Sequence, residues 1–118
     1  MDNNVLDCFG KILIKEVRDY VLTTFQWEFG NNMSKLSKEE FKNEISKFSD
    51  HDKELILRIV ADAIDSSMHK MLFMFENHSE DMKILYDSVD LVEESDGLCG
   101  ELFVDGWINK YSKYDEID

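Results

Sequence analysis

Proline is absent from the 118 residues, so nothing removes a backbone donor inside a long helix. Cysteine is scarce. Cys8 and Cys99 lie far apart and neither sits in a Cys-x-x-Cys or Cys/His ligand spacing, which points to two reduced thiols rather than a disulfide framework or a zinc site. Long hydrophobic runs are also missing: the longest, Met71 to Phe75, is too short to span a bilayer. The start, Met1-Asp2-Asn3-Asn4, lacks the basic and apolar stretches of a secretory signal. The expectation is therefore a cytoplasmic location and no membrane partner. Gly-x-x-x-x-Gly-Lys-Ser/Thr and Gly-x-Gly-x-x-Gly loops, a Gly-x-Ser-x-Gly elbow and a His-Glu-x-x-His helix do not occur. Their absence excludes the readily recognised NTPases, dinucleotide enzymes, hydrolases and zinc proteases.

Basic residues are few. Thirteen Lys and Arg stand against 26 Asp and Glu, a formal net charge of −13. The imbalance is concentrated: residues 78–118 hold twelve of the acids and three of the bases. Such a field repels nucleic acid and anionic membranes, and it draws in basic protein surfaces. Solubility alone explains a negative surface, but its uneven placement favours a binding face.

What is present reads as one domain over residues 1–118, with a helical part at 1–77 and an acidic part at 78–118. At 43% hydrophobic and 33% charged residues, the composition is that of a globular chain. The first helix is predicted from about Asn4 to Phe29, with Leu6, Phe9, Leu13, Val17, Tyr20, Val21 and Phe25 on its apolar side. Lys11, Lys15, Arg18 and Asp19 fall on the opposite side. Gly10 marks either a close helix contact or a late start, and Gly30-Asn31-Asn32 supplies a stop. Ser37-Lys38-Glu39-Glu40 is a capping box that opens a short helix to about Phe48, with Phe41, Ile45 and Phe48 as its stripe. Ser49-Asp50-His51-Asp52 repeats the pattern ahead of the longest helix, predicted from about Asp50 to Glu76. Leu55, Ile56, Ile59, Val60, Ala63, Ile64, Met68, Met71, Leu72 and Phe75 form its apolar face. Its last turns are apolar all round, so Phe73 and Met74 need cover from the C-terminal segment or from a partner.

Beyond Asn77 the pattern shortens. Lys83 to Tyr86 is compatible with a strand, and Val89 to Glu93 alternates apolar with polar. Asp-Gly pairs at Asp96-Gly97 and Asp105-Gly106 suggest tight turns, and hence an antiparallel meander over 89–94, 98–104 and 107–111. Helices capped by Asp96 or Asp105 are the competing reading. The expected fold is α+β, predominantly α: about three N-terminal helices, one long and central, then a small antiparallel β element.

Chemistry has few candidates. His51 belongs to a capping segment; His69 and His78, with Glu76 or Asp81, match no established ligand spacing, so neither metal nor cofactor is expected. Asp62 and Asp65 could act as an acid/base pair, but with Arg58 they read as a solvated face. Met68, Met71, Met74 and Met82 suit an adaptable surface, although three of them fall at core spacing. The acidic last third, with its aromatic anchors, is the favoured binding surface, and its expected contacts are Tyr86, Asp87, Asp90, Glu93, Glu94, Glu101, Asp105 and Trp107.

The stretch Asp96-Gly97-Leu98-Cys99-Gly100-Glu101-Leu102-Phe103, continuing through Gly106-Trp107-Ile108 to Lys110-Tyr111-Ser112-Lys113-Tyr114, resembles the ending of small acidic bacterial immunity proteins of contact-dependent inhibition and related polymorphic toxin systems. The resemblance implies a cytoplasmic, non-enzymatic protein that neutralises one cognate toxin domain, often a nuclease with a basic cleft, by covering its active site or a nearby surface. It implies no shared fold and carries over no individual functional residue. A DNA mimic or other anti-nuclease regulator, and an enzyme built around His69 and His78, are the alternatives.

Overall fold

The computed structural model describes residues 4–29, 43–44 and 46–114. Asn4 caps the first helix by accepting a hydrogen bond from Asp7 N–H at 2.8 Å. This helix runs as α1 (Val5–Leu13), a π-helical segment (Ile14–Asp19) and α2 (Tyr20–Phe29). The π segment inserts an extra residue into the turn and so changes which side chains point inward. Up to Leu13 the apolar side is as expected. Beyond it, Ile14, Arg18, Asp19 and Leu22 are buried, while Val17 is 40% and Tyr20 is 68% exposed. The expectation that Arg18 and Asp19 lie on the outer side is corrected: the π turn moves the inward positions from 17 and 21 to 18 and 22.

The stop at Gly30-Asn31-Asn32, the capping box at Ser37 and the stripe residues Phe41 and Ile45 lie outside the described residues. Phe48 lies in a bend and is 39% exposed. The central helix, α3 (Asp50–Asn77), starts where the sequence indicated. Ser49 Oγ accepts from Asp52 N–H at 3.1 Å, and Asp52 Oδ2 accepts from Ser49 N–H at 3.2 Å, so the cap is reciprocal. Its buried positions are Ala61, Asp65, Met68 and Leu72. Ile64 packs on the core from the edge of that stripe. The predicted face was rotated: Ala63 is exposed and Ile59 is 67% exposed, because a carboxylate, Asp65, occupies an inward position.

The small antiparallel element is a hairpin, β1 (Leu85–Tyr86) and β2 (Val89–Asp90), with Leu85 opposite Asp90 and Tyr86 opposite Val89. Asp87 and Ser88 form its two-residue turn at φ 54° and 69°, both in the left-handed region. The predicted meander beyond it does not form. Residues 91–111 hold three short helical elements instead: α4 (Leu91–Glu94), a 3₁₀ turn (Leu98–Leu102) and α5 (Trp107–Tyr111). Leu98 and Leu102 are both fully buried, and the 3₁₀ turn that carries them packs against α3. Asp90 caps α4, whereas Asp96 and Asp105 cap nothing and only precede the 3₁₀ turn and α5.

These short elements complete the core. Leu13, Ile14, Met68, Leu72, Leu91, Leu98, Leu102, Trp107 and Ile108 form one buried cluster, so the C-terminal part packs over α1 and the second half of α3. A polar clasp closes it. Arg18 pairs with Asp65, its Nε at 2.6 Å from Oδ1 and its Nη2 at 3.2 Å from Oδ2. Its Nη1 reaches Ser112 Oγ at 2.9 Å and the Tyr114 carbonyl at 3.2 Å. Asp19 accepts from Ser112 Oγ and Lys113 N–H at 2.6 and 3.0 Å. Asp65 is therefore buried in an ion pair, not part of a solvated acidic face with Asp62.

Candidate partner-binding surface

Asp87, Asp90, Glu93 and Glu94 sit together on the hairpin turn and the first turn of α4. Leu91, fully buried, turns that helix so that Glu93 and Glu94 face outward. Asp90 anchors the group: its Oδ1 accepts from Val92 N–H at 3.0 Å and Glu93 N–H at 3.3 Å, and its Oδ2 lies 3.3 Å from Lys83 Nζ. Desolvation pushes the Asp90 carboxyl up, but the Glu93 N–H, the Lys83 ammonium and the Val92 N–H together outweigh it and hold its pKa below the ordinary aspartate value.

A depressed carboxylate pKa means that the cap is fully present above the unfolded-state value and is lost as pH falls through the folded one. Amide exchange at Val92 and Glu93 is therefore expected to accelerate only in strong acid. The Asp90 carboxyl, followed by NMR, should titrate below an unstructured aspartate. A midpoint at or above the ordinary value would contradict the cap.

Glu101 and Asp105 belong to a second group, on the 3₁₀ turn and the bend after it, and Glu101 is half-buried. The 3₁₀ turn packs against α3, whereas α4 packs against α1, so the two acidic groups rest on different supports. Among the described residues, Asp87, Glu93, Glu94, Asp96 and Asp105 are exposed and take part in no ion pair. The three lysines of this region are engaged: Lys83 with Asp90, Lys110 with Asp7 at 3.9 Å, and Lys113 with its Nζ 5.4 Å from the centre of the Tyr114 ring.

The aromatics are divided. Tyr86 is half-buried against the core. Trp107 is fully buried and meets Phe9 edge-on at 5.7 Å, so it is a core anchor and cannot be a contact residue. Phe103, an aromatic of the acidic third that is not among the expected contacts, reaches the surface at 38% exposure. The cover expected for Phe73 and Met74 is partial: they are 38% and 39% exposed, and Phe73 stacks on His69, whose ring also meets that of Phe103.

No family model matches the chain, nor does any curated protein or solved structure.

Among the groups with chemical potential, Cys99 and His69 are engaged within the fold. Burial, and then the hydrogen bond to Glu76 Oε2 at 3.2 Å, push the Cys99 thiol pKa up, which disfavours the nucleophilic thiolate. His69 stacks on Phe73, and His78 is exposed at the end of α3. Among the described residues, no three His, Cys, Asp or Glu side chains come together to hold a metal ion. No helix among them is long and apolar enough to cross a membrane.

Proposed function

We propose that this chain is an immunity-type binding protein, not an enzyme, which acts in the cytoplasm and neutralises a cognate toxin domain by occupying a basic surface on it. The single observation that carries this reading is the set of exposed, unpaired carboxylates on the hairpin, α4 and the Phe103–Gly106 bend, in a region whose lysines are already engaged. Carboxylates without local partners keep their field for an approaching molecule, and a field of one sign accelerates encounter with the opposite sign. The resemblance of residues 96–114 to the endings of immunity proteins supplies the class of partner.

The test is co-expression with the variable C-terminal domain of a secreted protein encoded next to this chain. Growth should be rescued by the intact protein, and the two chains should co-purify in a fixed ratio. Glu93→Lys with Glu94→Lys should slow association about tenfold at low salt and leave stability within about 0.5 kcal/mol, since both residues are exposed. The difference should shrink as salt rises. An association rate unchanged by this double reversal would remove the acidic surface from the encounter.

A further inference from the structure

The acidic groups explain how a basic partner would be drawn in, but long-range charge sets the rate of encounter more than the lifetime of a complex. Lifetime needs an apolar contact. On α3 and the bend that follows the 3₁₀ turn, the described residues leave Phe73, Met74 and Phe103 more than one third exposed, with Val104 at 89%. His69 bridges Phe73 and Phe103: its ring is stacked 6.3 Å from that of Phe73 and tilted 5.7 Å from that of Phe103. Lys70 lies at the edge with its ammonium 5.2 Å from the centre of the Phe73 ring. Between helix and bend lies an open depression of about 430 Å³, lined by Ser66, His69, Lys70 and Phe103.

Val104 is the residue that folding alone does not explain. Its φ is 49° and that of Asp105 is 62°, both left-handed, a region hostile to a β-branched side chain. The bend is held shut by Gly106, where a Cβ would come within 2.1 Å of the Glu101 carbonyl oxygen and 2.7 Å of that of Phe103. The strained valine is thus locked with its side chain almost wholly in solvent, where it contributes no burial. Asparagine would suit that backbone and that exposure better. Strain that the surroundings maintain is a feature of contact sites.

We infer that the Phe73, Met74, Phe103 and Val104 patch is the apolar anchor of the partner interface, and that its occupant is an aliphatic side chain flanked by lysine or arginine on a basic protein. The inference rests on the reading that the partner is basic, and it adds where the complex gains its lifetime. The flanking charge follows from exposed Asp105 on the bend and half-buried Glu101 on the 3₁₀ turn before it, both within the chain's most acidic third. A second copy of this chain is the poorer occupant, since each copy carries a formal net charge of −13 and repels the other.

The test uses the isotope-labelled full chain and two synthetic decapeptides, one of lysine and leucine, the other with every leucine replaced by serine. The leucine peptide should bind about tenfold more tightly and shift the amides of Phe73, Met74, Phe103 and Val104. Val104→Asn should abolish that advantage and at the same time raise Tm, a combination that a purely structural role for Val104 would not produce. Equal affinity for the two peptides would overturn the inference. So would leucine-dependent shifts centred on Tyr20, Leu55 and Ile59, or patch shifts that follow protein concentration alone, which would make a second copy the occupant. The acidic-capture reading fails by a separate sign: no salt-sensitive shift at Glu93 or Glu94 with the serine peptide.

Discussion

Replacing Arg18 with alanine is expected to destabilise the fold by about 3–5 kcal/mol, the usual cost of removing one partner from a buried ion pair. That is a large part of the roughly 5–15 kcal/mol that holds a domain of this kind together. Arg18 is fully buried and Asp65 is 5% exposed, so neither charge would be rescued by solvent. The guanidinium grips both carboxylate oxygens of Asp65 and also reaches Ser112 Oγ and the Tyr114 carbonyl. Ser112 has no spare capacity: its hydroxyl donates to Asp19 and accepts from Arg18 and from Tyr114 N–H. Loss of Arg18 therefore leaves a buried carboxylate without its cation and removes one of the two π-segment residues that hold Ser112, leaving Asp19 alone to accept from Ser112 Oγ and Lys113 N–H. Lysine should not substitute, because a single ammonium cannot reproduce the fork. The paired replacement Arg18→Met with Asp65→Leu should recover most of the loss, since apolar residues of similar size avoid the desolvation cost. Urea unfolding measures the four corners of this cycle. An Arg18→Ala protein within about 1 kcal/mol of the parent, with unchanged exchange at Lys113 N–H, would contradict the clasp.

The same residues show why the helix faces were only half legible. Local periodicity gave the first helix and its start correctly, and it gave α3 to within one residue at its end. It then placed Val17 and Val21 inward, because the reading assumed one uninterrupted α-period. The π turn breaks that period, and its trace in the sequence is the four-residue spacing Ile14, Arg18, Leu22. An arginine in that series reads as outward-facing unless its partner is known. Asp65 is 47 residues away, beyond the reach of any local pattern. The face of α3 was misjudged for the mirror reason, since Asp65 looked solvent-facing until Arg18 was placed against it.

The C-terminal part failed differently. Its charge and its aromatic anchors were visible, and a hairpin does form, but at Asp87-Ser88 rather than at an Asp-Gly pair. At Asp105-Gly106 the glycine's own φ is −96°, and the left-handed residues are Val104 and Asp105. Gly106 is required by the carbonyl oxygens pressed against it, a tertiary contact that no dipeptide rule contains. Among the predicted contact residues, the exposed acids stand where a partner could reach them, while Trp107 moved to the core. Phe103 and Val104 took its place at the surface. Their signal, two large apolar residues directly before a turn, was present in the sequence but was read as strand.

Gly10→Ala should lower stability by about 3 kcal/mol, on the order of 10 °C in Tm, although alanine is the better helix former. Two effects oppose each other. Propensity favours alanine over glycine by roughly 1 kcal/mol inside a helix. Against it, a Cβ at position 10 would lie 2.3 Å from Cδ2 and Cε2 of Trp107, far inside contact distance. Those atoms belong to a rigid, fully buried ring that also meets Phe9 at 5.7 Å, so no flexible end can swing aside. Either α1 or α5 must retreat, and Leu13, Leu102 and Ile108 would lose packing with it. Overpacking therefore outweighs propensity. Trp107→Ala removes the colliding ring, and in that background Gly10→Ala should cost much less, giving a coupling of about 1–2 kcal/mol between the sites. Thermal unfolding of the two single variants and the double variant measures it. Additive losses, or a Gly10→Ala protein more stable than the parent, would show that α1 and α5 do not meet at this glycine.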